Sequence, residues 1–386
     1  MRFEFATATR IVFGPGTFRE TPGILSALGQ SALVVTGSSL NRAQPLLRQL
    51  DLAAVRFTVC QIAGEPTTDD VRHGAAQARA AGCDCVVALG GGSAIDAGKA
   101  IATLATNVGD LLDYLEVIGR GHPLTHPPLP FVAIPTTAGT GAEVTRNAVL
   151  ASHEHRVKAS LRSPLMLPRV ALVDPELALN LPPALTASTG MDALTQLLEP
   201  YLCARANPLV DALCVAGIRR AARALRRAFT HGDDLAARTD MAFASLCGGL
   251  ALANAGLGAV HGFAASVGGM FPAPHGAVCA ALLPHAMAIN LRALEARSPN
   301  SETLHRFTEI ARLLTDHPAA TPADGMHWIQ ALCHDLQIPP LHTYGLTTAD
   351  IPSVVEKAAQ ASSMNANPIP LTLSELTEIL RRAIAG

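Results

Sequence analysis

The chain has 386 residues, more than one hydrophobic core usually organises, so we expect two domains. Hydrophobic residues make up 49% of the chain and charged residues 16%, a balance typical of a large, well-buried globular enzyme. The net charge of −2 gives no electrostatic reason to expect nucleic acid or an anionic membrane as a partner.

The N-terminal segment has the pattern of a strand from Arg2 to Phe13. It lacks the apolar core of a signal peptide, and we expect no apolar run of membrane-spanning length in the chain. These features predict a cytoplasmic protein with no membrane partner.

The first half of the chain then alternates short apolar runs with helix-like stretches. Strands are predicted at residues 31–36, 85–89, 131–135 and 170–174, with a helix at residues 71–81. Strands that alternate with helices predict βαβ units and a parallel sheet.

After residue 180 the β-branched clusters become rare, and long Ala- and Leu-rich stretches with helical period take over. Apolar residues recur at three- and four-residue steps from Val215 to Phe229. The other face of that helix carries Arg219, Arg220, Arg223, Arg226 and Arg227. These arginines could form a binding surface, but the nearly neutral chain favours a solvated helix face. The sequence therefore predicts an α/β domain over residues 1–179 and an all-α domain over residues 180–386.

A glycine-rich turn follows the strand predicted at residues 85–89. It consists of Gly90, Gly91, Gly92 and Ser93 and opens a helix. Successive glycines let the backbone approach a phosphate, and the N-terminus of the helix offers free N–H donors. The turn is not a GxGxxG fingerprint, and a plain strand-to-helix connection is the alternative. We favour phosphate contact.

A second polar loop follows the strand predicted at residues 131–135. It places hydroxyls of Thr136, Thr137 and Thr140 at the carboxyl edge of the sheet, where α/β proteins bind ligands. Two such loops at one sheet edge are what a dinucleotide requires. Lys158, further along the chain, is either a surface residue or a group near the cofactor.

The helical half contains a set of side chains suited to a divalent metal. Asp192 and Gln196 are four residues apart, which places them on one helix face. His261 and His275 follow, each in a His-Gly pair. A carboxylate and two imidazoles bind divalent metals, with the Gln196 oxygen or water as a fourth ligand. Interior histidines and a capping carboxylate are the alternative for each residue singly. Together they favour a metal or substrate-polarising site, with Asp192, His261 and His275 as catalytic residues.

The eight cysteines are scattered through mostly apolar sequence, and none belongs to a CxxC pair. We expect them to be small buried hydrophobes rather than zinc ligands or a disulfide framework.

In this order the motifs resemble the iron-containing (group III) alcohol dehydrogenase family along nearly the whole chain. The resemblance is carried by residues 13–16 (FGPG), 90–93 (GGGS) with Asp96 and Lys99, 135–140 (PTTAGT) with Glu143, 174–175 (DP), 190–193 (GMDA), 261–262 (HG) and 274–276 (PHG). It implies an α/β dinucleotide-binding domain, residues 1–179, followed by an all-α metal and substrate domain, residues 180–386. A homodimer, formed through the N-terminal strand, is also implied.

The resemblance also implies a role for each site residue. Gly90, Gly91, Gly92 and Ser93 would hold the pyrophosphate; Thr136, Thr137 and Thr140 would line the riboses; Asp96 and Lys158 would lie at the nicotinamide end. The metal ligands would be Asp192, Gln196, His261 and His275.

Three positions depart from the family pattern. Many members carry another His four residues after the first His-Gly ligand, and here that position is Ala265, so a proton relay through it is absent. Members usually carry His where Gln196 stands, and a neutral amide is expected to weaken binding of Fe²⁺ or Zn²⁺. NAD-selective members often carry Asp just after the second strand. Here that position is Gly37, followed by Ser38 and Ser39, so NADP is allowed as well as NAD.

We therefore expect an NAD(P)-dependent oxidoreductase that interconverts an alcohol and an aldehyde or ketone, with a divalent metal polarising the carbonyl. One alternative is a metal-independent reductase of the maleylacetate type, in which the histidines bind substrate directly. Asp192 argues against it, because Asn is expected there in such enzymes. The other alternative is a nucleotide-binding protein without redox turnover.

Overall fold

The computed structural model describes residues 2–107, 109–155 and 157–386. The chain forms two compact units. The sheet unit consists of Phe5–Thr137 and Gly141–Ala178. The helical unit consists of Leu179–Gly386 with Ala138–Thr140 and residues 2–4.

The sheet unit alternates strands and helices through most of its length. Its strands are β1 (Arg10–Phe13), β2 (Ser31–Thr36), β3 (Arg56–Gln61), β4 (Cys85–Gly90), β5 (Phe131–Pro135), β6 (Asn147–Ser152), β7 (Val157–Arg162) and β8 (Val170–Val173). Its helices are α1 (Thr21–Ser26), α2 (Leu40–Leu52), α3 (Thr68–Ala80) and α4 (Gly92–Thr106). The predicted N-terminal strand is too long, because β1 begins only at Arg10, the first residue that pairs with β8.

Six strands form a parallel sheet in the order β1-β8-β5-β4-β2-β3, and β6 and β7 form a separate antiparallel hairpin. Strands β2 and β4 are buried along their whole length, as expected for central strands of a parallel sheet. The chain passes from β2 outward to β3, then returns to β4 on the other side of β2. Ligands of open α/β sheets bind beyond the carboxyl ends of the strands at such a reversal.

A buried lysine ties α4 to the β6–β7 hairpin. The Lys99 ammonium pairs with Asp96 at 3.0 Å, and Asp96 in turn accepts the Val149 N–H at 2.9 Å. Lys99 also donates to the Ala142 carbonyl (3.0 Å), Thr145 Oγ1 (2.9 Å) and the Asn147 carbonyl. Because a buried charge is costly unless it is paired and hydrogen-bonded, this network fixes the hairpin against α4.

The helical unit is built around α5. Its helices are α5 (Pro183–Leu202), α6 (Pro208–Thr230), α7 (Leu235–Asn254), α8 (Ala259–Met270), α9 (His275–Arg297), α10 (Glu302–Thr315), α11 (Pro322–Asp335), α12 (Ile351–Gln360) and α13 (Leu373–Ala385). Helix α5 packs against α6, α7 and α9, and its residues 190–202 are all buried.

The arginine face of α6 is ion-paired at the surface. Arg220 and Arg223 both pair with Asp240 at 2.6 Å, and Arg226 pairs with Asp335 at 2.7 Å. These contacts support the interpretation of this face as a solvated, charge-balanced surface rather than a binding site.

Helix α9 is long and apolar enough to cross a membrane, contrary to the expectation from sequence. Helices α7 and α8 meet the same criterion only as a pair bent by 95°. In α9 78% of the most apolar window is buried inside the protein, as in the core helix of a globular protein.

A buried carboxyl in the sheet unit gives a pH-dependent stability. Burial raises the pKa of Glu143 from 4.5 to about 7, and the Lys99 ammonium offsets this only partly. The folded chain therefore holds this proton more tightly than the unfolded chain, so its stabilising contribution is full below pH 4.5 and is lost as the pH rises to about 7. The loss amounts to about 3 kcal/mol at most.

The substitution Glu143→Gln keeps the side chain neutral at every pH. We expect it to raise the Tm clearly near pH 8 but only slightly near pH 5, as measured by thermal denaturation. Glu356→Gln, at an exposed carboxylate, serves as the control and should show no such difference. An equal change in Tm at both pH values would contradict this role for Glu143.

Candidate metal centre and cofactor loops

Four side chains of the helical unit bring potential metal-ligand atoms within 4.8 Å of one another: Asp192 on α5, His261 on α8, and His275 and Cys279 on α9. The Nε2 atoms of His261 and His275 lie 3.5 and 3.8 Å from Asp192 Oδ1. The Cys279 Sγ lies 3.9 and 3.7 Å from the same two Nε2 atoms.

These separations fit a bound cation. A tetrahedral ion with ligand bonds of about 2.0–2.3 Å has ligand–ligand distances of roughly 3.3–3.8 Å. Among the described residues, Asp192 Oδ1 is one of the few buried side-chain oxygens with no hydrogen-bond partner. Since such an oxygen is costly to bury unpaired, a cation at the centre of the four side chains would satisfy it.

Close helix packing brings the ligands together. A Cβ on Gly276 would lie 2.5 Å from the Ser188 carbonyl oxygen of α5, so glycine is needed for α9 to approach α5 this closely. His275 is the first residue of α9, and Cys279 follows one turn later on the same face. Both side chains therefore point towards Asp192.

Glu199, on α5, orients His261. Its Oε2 lies 2.6 Å from His261 Nδ1, and its Oε1 accepts the Val260 N–H at 2.7 Å. A proton on Nδ1 facing Glu199 leaves the Nε2 lone pair directed to the cluster. Glu199 was not predicted, although it stands seven residues after Asp192, two turns along the same helix face.

The C-terminal segment also helps to place His261. Asn367 Oδ1 accepts the N–H of Ala259, the first residue of α8, at 3.0 Å. Asn367 Nδ2 donates to Asn290 Oδ1 on α9 at 2.7 Å. This buried amide therefore caps α8 and links it to α9.

The electrostatics of the cluster favour a cation. Burial opposes charge on Asp192, but His275 and His261 hold the pKa of its carboxyl below the ordinary value. The Cys279 sulfur, and secondarily Asp192, raise the pKa of His275 to about 9 against the effect of burial. Burial would lower the pKa of His261, but Cys279, Asp192 and Glu199 together raise it well above the ordinary value. The negative groups that raise these two pKa values would also attract a divalent cation, which would displace the protons from Nε2 on binding.

Gln196, the predicted fourth ligand, makes a different contact. Its Nε2 donates to the Gly139 carbonyl at 3.1 Å. In the described part of the chain its amide hydrogen-bonds to neither imidazole. Cys279, expected from sequence to be a buried hydrophobe, lies in the cluster instead. The four-residue step from His275 was the signal that could have found it.

The glycine-rich turn and the threonine loop of the sheet unit meet at the carboxyl edge of the sheet. The Thr136 N–H donates to the Gly90 carbonyl at 2.9 Å, and a Cβ on Gly91 would lie 3.4 Å from Thr137 Oγ1. Gly91 precedes the first residue of α4 and offers no side-chain cap, so the first N–H groups of α4 are available to a phosphate. Ser93 lies in this first turn.

The remaining predicted cofactor residues have varied surroundings. Gly37 follows β2, and its backbone nitrogen lies 3.6 Å from where a Cβ on Gly90 would stand. Ser38 accepts a hydrogen bond from the Gln61 side chain through its carbonyl, and Ser39 precedes α2 without capping it through its hydroxyl. Lys158 pairs with Glu65 at 2.5 Å. Thr140 belongs to the short segment that groups with the helical unit.

Comparison with known proteins decides the family. Residues 8–175 match the family described as "Iron-containing alcohol dehydrogenase", and residues 186–384 match "Fe-containing alcohol dehydrogenase family, C-terminal". The chain belongs to the iron-containing alcohol dehydrogenase family. The resemblance inferred from the motifs is thereby confirmed, as are the α/β N-terminal and all-α C-terminal architectures. The chain is an oxidoreductase that interconverts an alcohol and a carbonyl compound.

Individual relatives cover the whole chain. The 1,3-propanediol dehydrogenase of Citrobacter freundii is 37% identical over 396 residues, 99% of this chain and 98% of that protein. The crystal structure of a 1,3-propanediol oxidoreductase matches with a TM-score of 0.92 at 36% identity, covering 99% of this chain and 100% of that one. Sulfoacetaldehyde reductase from Bifidobacterium kashiwanohense, solved in complex with NAD+, matches with a TM-score of 0.88 at 28% identity, covering 100% and 99%.

Removing the carboxylate behind His261 should weaken metal binding. We expect Glu199→Gln to lower the affinity for a divalent metal by about 10–100-fold, because His261 loses the acceptor that fixes its ring. The measurement is competition for Zn²⁺ with a chromophoric chelator. Glu309→Gln, which removes a carboxylate bonded to Tyr201 at 2.6 Å, is the matched control. Equal affinities of the two variants would refute the role of Glu199.

Proposed function

We propose that this enzyme reversibly reduces a small, uncharged aldehyde to a primary alcohol, with NADPH or NADH as reductant and Fe²⁺ or Zn²⁺ bound by the helical unit. The observation that carries this proposal is the convergence of two imidazole nitrogens and a sulfur on the unpaired Asp192 Oδ1. The 1,3-propanediol enzymes among its relatives support a short alcohol as substrate.

The sequence around the histidines supports an uncharged substrate. Residues 257–284 contain both histidine ligands and no lysine or arginine. A carboxylate or sulfonate substrate would require cationic partners when it leaves water. This argues against maleylacetate and against the acidic aldehyde named for the structural relative.

The side chains of the centre have distinct tasks in carbonyl reduction. When bound, the nicotinamide supplies a hydride and the divalent cation polarises the carbonyl oxygen. Asp192 contributes negative charge to the ligand set and holds the cation in a buried position. His261 and His275 present Nε2, and Glu199 keeps the His261 ring in that orientation. Val260 and Phe263 of α8 are buried, so His261 lies in a largely apolar segment of the helical unit.

The loops of the sheet unit support the assignment of the cofactor. We place the pyrophosphate at Gly90, Gly91, Gly92 and Ser93, the riboses at Thr136, Thr137 and Thr140, and the nicotinamide end near Asp96 and Lys158. On this proposal residues 1–179 bind the dinucleotide, and residues 180–386 bind the metal and the substrate.

The segment after β2 supports use of NADPH. Residues 37–42 contain Gly37, two serines and Arg42 but no acidic residue. A 2′-phosphate there would meet the Ser39 hydroxyl, the N-terminus of α2 and an exposed guanidinium. An Asp at position 37, which would repel that phosphate, is absent.

We also propose that the enzyme is a cytoplasmic homodimer. Support comes from the position of β1 at the edge of the sheet, where a strand can pair with a second chain.

Metal removal tests the function directly. We expect the chelator-treated enzyme to lose reduction of propanal by NADPH and NADH, and to regain it with Zn²⁺ or Fe²⁺. The kcat/KM for propanal should exceed that for maleylacetate by more than about tenfold, since residues 257–284 around the histidines contain no lysine or arginine to pair with a carboxylate. Undiminished turnover after verified metal removal, or preference for maleylacetate, would refute the proposal.

Cofactor choice is testable at Gly37. A Cβ at this position meets nothing within 4 Å, so substitution is sterically tolerated. We expect Gly37→Asp to lower kcat/KM for NADPH by about tenfold or more through repulsion of the 2′-phosphate, with little change for NADH. Gly37→Asn, which has the same shape without the charge, should retain NADPH use. Similar losses in both variants would show that charge at this position does not select the cofactor.

A further inference from the structure

The fourth ligand is where this chain differs from its family pattern. The family places an imidazole at the position of Gln196, one turn after Asp192 on α5. The Gln196 amide is instead tied to the Gly139 carbonyl, and Gly139 lies against Thr189 of the same helix. The Nε2 end of this side chain therefore binds the backbone of the helical unit, and the only donor it could still offer a metal is a neutral amide oxygen.

We infer that the Cys279 thiolate replaces this imidazole as the fourth ligand, which makes the centre an Asp-His-His-Cys site selective for zinc. The inference rests on the proposed metal-assisted function. The Cys279 Sγ lies 3.7 Å from His275 Nε2 and 3.9 Å from His261 Nε2. The two imidazole rings are 5.5 Å apart between centroids and tilted by 52°. Their nitrogens thus approach the sulfur from different helices.

Cys279 differs from the other buried cysteines of the chain in its surroundings. Burial raises the pKa of Cys247 to about 12, as expected for an inert interior thiol. Cys279 is equally buried, but its sulfur shares a cluster with two imidazoles and a carboxylate oxygen. A buried thiol with such neighbours has the donor set of a zinc site.

Ligand chemistry determines which metal this site prefers. A thiolate is a soft donor and favours zinc over magnesium or manganese, whose usual ligands are carboxylates, carbonyls and water. Zinc also binds N, O and S ligands more tightly than ferrous iron does. Compared with the family pattern, the fourth ligand thus lies on α9 instead of α5, and it is an anionic sulfur instead of a neutral nitrogen.

Cobalt substitution tests the sulfur ligand without an activity assay. The full-length protein is stripped with a chelator, loaded anaerobically with one equivalent of Co²⁺, and its near-ultraviolet absorption is recorded. We expect a thiolate-to-cobalt charge-transfer band in the wild type that is lost in Cys279→Ser. The affinity of that variant for Zn²⁺ should fall by about 100-fold or more, beyond the loss typical of an outer-shell change.

Two control variants separate the sulfur from other effects. Cys333→Ser changes a cysteine whose thiol faces the Ala280 carbonyl of α9 at 3.8 Å outside the cluster, and it should keep the band. Gln196→Leu removes the amide and should keep both the band and stoichiometric Co²⁺. Bound cobalt without a charge-transfer band in the wild type, or a band that survives Cys279→Ser, would overturn the inference.

A measurement on the unmodified protein avoids any effect of substitution on folding. X-ray absorption at the zinc edge should show one sulfur at about 2.3 Å beside nitrogen and oxygen at about 2.0–2.2 Å. A shell of nitrogen and oxygen alone would refute the sulfur ligand. Loading from an equimolar mixture of Zn²⁺, Fe²⁺, Mn²⁺ and Mg²⁺ should yield the zinc form. Predominant uptake of iron would refute the selectivity.

These outcomes separate the ligand assignment from the proposed function. A sulfur-ligated centre in a protein that reduces no aldehyde would refute the function and leave the assignment standing. Metal-dependent aldehyde reduction by a centre without sulfur would refute the ligand assignment and leave the proposed function standing.

Discussion

The helical unit depends on a carboxylate buried in the middle of α5. Asp192 is 1% exposed and lies in the stretch of α5, residues 190–202, that is buried throughout. An ionised carboxylate in such a place costs several kcal/mol, by order of magnitude, unless a positive charge or hydrogen bonds compensate it. The chain brings His261 and His275 to it from two other helices, so that a cation bound by all three side chains would compensate the charge. Asp192 therefore constrains where α8 and α9 can lie, because each of these helices must bring its histidine close to this side chain.

The centre is held by helix packing rather than by loops. Gly262 lies against Met364, where a Cβ would stand 2.7 Å from the methyl carbon, and Gly276 lies against α5. Each histidine thus precedes a glycine that allows a close approach of its own helix to a neighbour. Glu199 and Asn367 then fix the N-terminal turn of α8 by accepting its backbone N–H groups. A site supported in this way holds its donor atoms at ion-sized separations, which is the requirement for a preorganised metal centre.

Much of the sheet unit could be predicted because its central strands are continuous apolar runs. The strands at β2, β4, β5 and β8 follow the predicted residues closely. The edge strand β3 and the β6–β7 hairpin were not predicted, because their sequences are less apolar and part of their faces is exposed. Such strands are stabilised by pairing with a neighbouring strand, and their own sequences carry no clear pattern of apolar residues.

Residues of the site could be predicted where they belong to a sequence motif. Residues that are related to the site only through the folded structure could not. Asp192 and the two His-Gly pairs stand out from their apolar surroundings in the sequence. Glu199 and Cys279 acquire meaning only when the limits of α5 and α9 are known, since their relation to the ligands is a helical spacing. A cysteine in an apolar stretch is ordinarily a small buried hydrophobe. The sequence around Cys279 is apolar, as that rule assumes, but its neighbours in space are the two imidazoles and the carboxylate of the cluster.

A fourth ligand on α9 instead of α5 changes the net charge of the metal-loaded centre, and it replaces a nitrogen donor with a softer sulfur donor. A divalent cation held by one carboxylate and three imidazoles carries a net charge of about +1, whereas one held by Asp192, two imidazoles and the Cys279 thiolate is close to neutral.

A lower charge polarises a carbonyl oxygen less strongly, which could argue against a catalytic role for the sulfur. Zinc-dependent alcohol dehydrogenases, however, carry out the same reaction with zinc bound by two thiolates and one imidazole, a set that is also neutral overall. The Cys279 ligand is therefore compatible with reduction of an aldehyde. What it alters is the identity of the metal, because a soft anionic donor stabilises zinc in a chain whose family is described as iron-containing.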